Sequence, residues 1–272
     1  MLGKRFLTAI VAGPLVVALV LWGPPWGFPA FINAACAVGL WELLRMTLPG
    51  DDVATVRNGS LVLALGWTVM ASALPGYHAI AGLAAVAAAI LLLNLFRPEP
   101  IEGAAGRIGA SLGALLYLAL PMAHMSWLHG LADGDGWRWV MLAFLIIWVG
   151  DTTAYFGGRS IGGPKLYPKV SPGKTMSGAV TGLAGSVGAA FLAGAWFMPA
   201  LTTTDAVLLG IGAGALGQMG DLTESLIKRS AGVKESGGIF PGHGGLLDRI
   251  DALIFATPLI YWYALWVAPL GG

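Results

Sequence analysis

Long apolar runs, each close to the length of a bilayer crossing and separated by short polar punctuation, make up most of this chain. A spanning helix takes about 20 mostly apolar residues. The pattern predicts nine, at about 6–22, 28–46, 60–75, 78–96, 108–128, 138–156, 177–197, 206–222 and 252–269. Gly23-Pro24-Pro25, Pro49-Gly50 and Pro75-Gly76 interrupt the runs as tight turns between antiparallel helices. Two connections, 157–177 and 224–251, are longer and more charged than turns require and are expected as loops. The expected fold is therefore all-α: a polytopic integral membrane protein. A first region, 1–137, carries about five spans, and a second, 138–272, carries both charged loops.

Composition agrees with the pattern. The chain is 57% hydrophobic and 11% charged, with mean hydropathy +0.77, where a soluble protein has roughly 25% charged residues. The net charge of +1 gives no indication of a nucleic-acid partner, and none is expected. The single cysteine, Cys36, cannot form an internal disulfide and reads as a small buried thiol in an apolar run. Lys4 and Arg5 precede the first run as in a signal peptide. That run is long enough to span, and no small-residue cleavage site follows it, so it is expected to be retained.

Cations set the orientation. With the N-terminus in the cytoplasm and nine crossings, Lys4, Arg5, Arg45, Arg57, Arg97, Arg107, Arg159, Lys165, Lys169, Lys174, Lys228, Arg229, Lys234 and Arg249 all fall inside. Arg138 alone, of 15 Lys and Arg residues, falls outside. The C-terminus is then outside, and function belongs on the cytoplasmic face of the inner membrane. Gly210, Gly212, Gly214, Gly217 and Gly220 crowd the eighth helix and are read as allowing close helix approach in lipid.

Candidate chemistry concentrates between Asp221 and Asp251. Asp221, Ser225 and Lys228 fall at i, i+4 and i+7 on one helical face. Asp248 and Asp251 are three apart and share a face if the last helix begins near Gly245. Convergence of the two faces gives a carboxylate cluster flanked by cations, an oxygen-only set suited to a hard divalent cation such as Mg2+. Nothing suggests zinc, since His243 stands alone among glycines. Those glycines let a backbone approach a bound anion closely. The other stretch, 151–175, places Asp151 near a helix end, ahead of Arg159, Lys165, Lys169 and Lys174. Ser171-Pro172-Gly173-Lys174-Thr175 is reminiscent of a phosphate loop but is not a Walker A, because position 168 is Pro. It reads equally as a triphosphate-binding loop or as a basic loop against anionic headgroups.

These residues carry a resemblance. Ser225-Leu226-Ile227-Lys228-Arg229, then Lys234-Glu235, then Pro241-Gly242-His243-Gly244-Gly245-Leu246-Leu247-Asp248-Arg249-Ile250-Asp251 closely resembles the signature of phosphatidate cytidylyltransferases, or CDP-diglyceride synthases. Asp151-Thr152-Thr153-Ala154-Tyr155 and Ser171–Thr175 resemble that family's other cytoplasmic motif, whereas the N-terminal half matches by hydropathy only. Lys234-Glu235 stands where the family pattern has Lys-Asp. The resemblance implies transfer of CMP from CTP to phosphatidic acid, giving CDP-diacylglycerol and pyrophosphate. It implies Mg2+, with a second cation such as K+ as a further expectation, and related proteins lead us to expect a homodimer among membrane lipids. In that reading Asp221, Asp248 and Asp251 are the metal-centre carboxylates. Lys228 and Arg229 neutralise phosphates and Ser225 donates a hydrogen bond. His243, Gly244 and Gly245 shape the nucleotide pocket, Lys234 and Arg249 bind substrate, and Ser171, Lys174 and Thr175 contact phosphate. Two rivals are an ion-coupled transporter using Asp151 and Asp221, which would need access from both faces, and a CTP-using enzyme acting on another lipid phosphate.

Overall fold

The computed structural model describes residues 13–74, 76–131, 134–239 and 244–267, and helices dominate them. In order they are α1 (Gly13–Trp22), α2 (Gly27–Thr47), α3 (Ala54–Ala73), α4 (Gly76–Leu95), α5 (Ala104–Gly113), α6 (Leu120–His129), α7 (Gly136–Ile161), α8 (Met176–Trp196), α9 (Thr203–Ser230) and α10 (Leu247–Trp266). A π-helical turn, Ala114–Ala119, joins α5 to α6 in one rod. Among the described residues, five stretches are long and apolar enough to cross a membrane: α2, most of α4, the rod from Ile101 to His129, α7 and α8. In α9 the apolar character is diluted by Asp205, Asp221, Glu224, Lys228, Arg229 and a run of glycines.

The helices alternate in direction, and side-chain contacts mark two ends. At one end, Tyr263 near the end of α10 donates to Asp205 at the start of α9 (2.5 Å), and Trp127 of α6 donates to the Ala71 carbonyl of α3 (2.8 Å). At the opposite end lie the close of α2, α7 and α9 and the start of α8 and α10. Between the ends runs a core in which Phe28, Leu40, Leu44, Trp67, Leu118, Trp139 and Leu142 are fully buried. Packing of this kind holds helices together in lipid chiefly by van der Waals fit, since the tails are as apolar as the side chains.

Three expectations are corrected. The all-α reading omitted a short antiparallel hairpin, β1 (Lys165–Tyr167) and β2 (Ser171–Thr175), pairing Lys165 with Thr175 and Tyr167 with Ser171. Gly162 and Gly163, at φ +68° and +97°, end α7 and turn the chain into it. Thr175 then caps α8, its hydroxyl accepting from the Gly178 amide at 3.1 Å. The loop expected over 224–251 shrinks to 231–246, because α9 continues to Ser230 and α10 starts at Leu247. The Glu224–Lys228 pair, one turn apart, lets the charged segment stay helical. Finally, α3 begins at Ala54 rather than near 60, and Arg57 in its first turn folds back to donate to the Leu48 (3.0 Å) and Gly50 (2.8 Å) carbonyls.

Candidate active site

Glycine decides where the charged helices meet. A Cβ on Gly220 would run into the Asp251 carbonyl and push α10 off α9. One on Gly217 would meet the Ile147 side chain of α7 at 2.5 Å and touch Ala252 of α10 only at ordinary contact distance. Gly210 and Gly214 face Val187 and Ser186 of α8 in the same way, and Gly212 faces Leu259 of α10, which confirms the packing role read from the sequence. This close approach places Asp221 and Asp251 within coulombic reach of each other, with Asp151 of α7 alongside.

Lys228 stands between two carboxylates. It pairs with Glu224 on its own helix, and its Nζ lies 2.5 Å from Asp248 Oδ1 on α10. The Asp248 and Glu224 side chains are only 10% and 1% exposed, so the ammonium is what makes their burial tolerable. Asp248 Oδ2 accepts from the Gly245 amide (2.8 Å), the Ser236 amide (3.0 Å) and the Ser236 hydroxyl (3.0 Å). Asp248 precedes the stretch expected to span. Burial works against its charge, but Lys228 and the Gly245 and Ser236 amides outweigh burial and hold its carboxyl at about 2.

The second motif joins the first through Lys174. From β2 its Nζ reaches Asp221 Oδ2 at 2.6 Å, so the hairpin and α9 form one site. The Ser225 hydroxyl points at Asp221 Oδ1 from 3.5 Å, the outer limit of a hydrogen bond. Five carboxyl groups, those of Asp151, Asp221, Glu224, Asp248 and Asp251, thus gather around two ammonium groups, those of Lys174 and Lys228.

The predicted residues divide into those the fold brings together and those it does not. Asp221, Ser225, Lys228, Asp248, Asp251 and Lys174 converge. Thr175 is occupied as the α8 cap, and Ser171 opens β2, half-buried. Arg229 is exposed and donates to the Val233 carbonyl at 2.9 Å. Lys234 and Arg249 are also exposed. His243 lies outside the described residues. Gly244 and Gly245 do bring backbone close to anions, but here the anions are the protein's own carboxylates. Gly244, at φ +76°, leaves room for Asp248, and a Cβ on Gly245 would come within 2.5 Å of both Glu42 carboxylate oxygens.

The chemistry of the donors fits a hard cation unevenly. Among the described residues no three His, Cys, Asp or Glu side chains make a ready ligand set. Asp248 has both oxygens committed to Lys228 and the 236–245 backbone. The surplus of carboxylate lies at Asp221, Asp251 and Asp151, where one Asp251 oxygen accepts from the adjacent Ala252 amide (2.8 Å).

Sequence reasoning missed Glu224, Ser236 and Glu42. Glu224 had a signal, a carboxylate one helical turn before Lys228. Ser236 had none, since it acts through a loop fold. Glu42 had one that was readable: a lone carboxylate inside an apolar run is costly and needs partners. From α2 it accepts from the Leu246 (3.1 Å) and Leu247 (2.9 Å) amides and contacts the Ser236 hydroxyl (3.3 Å).

Known proteins are similar in sequence to this chain over nearly all of its length. A phosphatidate cytidylyltransferase of Brucella abortus is 34% identical over 275 residues, covering 96% of this chain and 93% of that protein. Proteins of the same name from Synechocystis sp. (33% over 293 residues; 98% and 97% covered) and Bacillus subtilis (31% over 264; 95% and 96%) are similar to it. Residues 3–267 match the cytidylyltransferase family as a whole, a span that takes in the hairpin, the α9–α10 charge cluster and the α2 carboxylate together. The chain belongs to the cytidylyltransferase family.

Proposed function

We propose that this chain transfers CMP from CTP to phosphatidate, yielding CDP-diacylglycerol and pyrophosphate, at the charged end formed by the hairpin, α9 and α10. The observation that carries the reading is the 2.6 Å contact between Lys174 and Asp221, which joins the two polar motifs of a family of CTP-using enzymes into one site. The relatives' shared name supports phosphatidate as acceptor.

In this reaction a phosphatidate oxygen forms a bond to the α-phosphorus of CTP while the bond from that phosphorus to the bridging β-oxygen breaks, and pyrophosphate leaves. The attacking phosphate monoester is mostly a dianion at neutral pH, its second pKa being near 6. It needs little help from a base; the obstacle is bringing one polyanion to another. Neutralisation and in-line positioning are therefore the tasks of the site. Mg2+, bound with its substrate phosphates, would supply much of that neutralisation. Asp221 and Asp251 are the residues we assign to hold it, with a second cation such as K+ near Asp151. Lys174 and Lys228 are fixed positive charges within the cluster, and Asp248 holds Lys228 and the 236–245 loop in register. Ser225, Arg229, Lys234, His243 and Arg249 remain assigned to the substrates' polar groups.

The same reading places nine crossings in the inner membrane, the charged end in the cytoplasm, and the chain in a homodimer. The positive-inside distribution supports the orientation, with Arg138 as its lone exception. A site at the membrane surface admits CTP from water and the lipid from the side. The test is pyrophosphate release from CTP by the purified protein, given a panel of lipid phosphates that includes phosphatidate and a polyprenyl phosphate. Release with phosphatidate alone is expected. Release only with the prenyl lipid would reassign the acceptor, and none with any lipid would remove the activity.

A further inference from the structure

Glu42 is a buried carboxylate from the opposite half of the chain, and its contacts give it a specific task. α10 begins without a local cap: Leu246 occupies the cap position and makes no side-chain hydrogen bond. The first amides of a helix have no intrahelical partner, and its N-terminus carries partial positive charge. Glu42 supplies both what Leu246 lacks and the counter-charge. Its Oε1 accepts from the Leu246 amide at 3.1 Å and its Oε2 from the Leu247 amide at 2.9 Å, a two-pronged cap delivered from α2 across some 200 positions of sequence. The residue is 1% exposed, so water cannot take its place.

The cap does more than start a helix. Asp248 is the next residue after the two amides that Glu42 holds, and both carboxylates lean on Ser236. Its hydroxyl lies 3.0 Å from Asp248 and 3.3 Å from Glu42, and with a single proton it can serve one of them at a time. The backbone around them is cleared by glycines. Cβ atoms on Gly237 and Gly245 would collide with Glu42, and one on Gly244 would collide with Asp248. Three glycines in one short connection therefore make room for two carboxylates, one catalytic-side and one from α2.

We infer that Glu42 is a positioning residue for the reaction: it sets the start of α10, and through Leu246, Leu247 and Ser236 it fixes the posture of Asp248 and hence of Lys228. Amino-terminal helices thereby take part in the site rather than only anchoring it. The inference rests on the reading of the Lys228–Asp248 end as the catalytic site, and its test separates the two.

Glu42→Gln keeps the shape and one carbonyl acceptor but turns an amide donor toward backbone N–H groups. Ser236→Ala removes the shared hydroxyl. Three measurements on the full-length protein in detergent decide the matter: melting temperature, kcat and KM for CTP, and amide hydrogen exchange over residues 244–248. Glu42→Gln should melt close to wild type yet lose about 10-fold or more in kcat with KM for CTP little changed, and exchange at 244–248 should quicken. The Glu42→Gln/Ser236→Ala pair should lose no more than Glu42→Gln alone, because both act through Asp248. Wild-type kcat in Glu42→Gln, unchanged exchange at 244–248, or losses that multiply in the double variant would each overturn the inference. Should the wild-type protein release no pyrophosphate, the functional reading falls, while the exchange measurement still decides whether Glu42 holds the start of α10.

Discussion

Replacing Lys228 with Met removes the charge at the centre of the site while keeping most of the stem's apolar bulk. The ammonium serves Glu224 and, at 2.5 Å, Asp248, whose side chains are 1% and 10% exposed. Neither carboxylate can recover its loss from water. Stripping one partner from a buried pair costs about 3–5 kcal/mol, which for a protein of this size lowers the melting temperature by roughly 6–20 °C. Adding Glu224→Gln takes away one stranded charge and should restore about half of that loss. It should not restore turnover, since Asp248 still lacks its cation. Tryptophan fluorescence melts in detergent and pyrophosphate release from CTP measure the two effects separately. The reasoning is refuted if Lys228→Met melts within about 2 °C of wild type, or if the double variant is no more stable than the single one.

Other expectations follow from the same geometry. Gly245 does not need a glycine's backbone angle, so Gly245→Ala tests space alone: its Cβ would come within 2.5 Å of both Glu42 oxygens, and activity should fall about 10-fold or more. Gly238→Ala, where a Cβ meets nothing within 4 Å, should leave activity unchanged. Chelation with EDTA should stop pyrophosphate release and Mg2+ should restore it; a metal-independent rate would count against Asp221 and Asp251 as cation ligands. Arg138→Gln removes a partly exposed pair with Asp135 (2.6 Å) and a stacking contact with Trp137, at the end remote from the site. Kinetics should be unaffected, and a large loss would contradict the two-ended layout.

Much of this architecture is readable before any coordinates. Apolar runs near 20 residues have few options in a bilayer other than helices, because backbone amides must be satisfied within the segment. The helices from α2 to α10 accordingly overlap the expected positions, and the first half of the first expected span, 6–22, lies outside the described residues. The signature between Ser225 and Asp251 likewise points to the chemistry, since carboxylates and ammonium groups crowded beside apolar spans are costly without a purpose. Local pattern also misled. The stretch 224–251 is expected as a cytoplasmic loop although Asp221, Ser225 and Lys228 read as one helical face, and the face wins: α9 runs on to Ser230 with Glu224, Ser225 and Lys228 buried.

What sequence by itself determined is the run of helices and the concentration of charge in two stretches, both of which follow from local composition and spacing. The class of chemistry came from the resemblance of the Ser225–Asp251 signature to a known family. Tertiary structure alone decided the partners: Lys174 with Asp221, Lys228 with Asp248, and Glu42 with the start of α10. Those pairings depend on which helix faces touch. Glycines such as Gly217 and Gly220 permit that contact, but nothing in their spacing says which neighbour will fill the space. Glu42 shows the difference most clearly: a single charge in an apolar run announces that it must be satisfied, and only the folded chain reveals that amides some 200 positions away satisfy it.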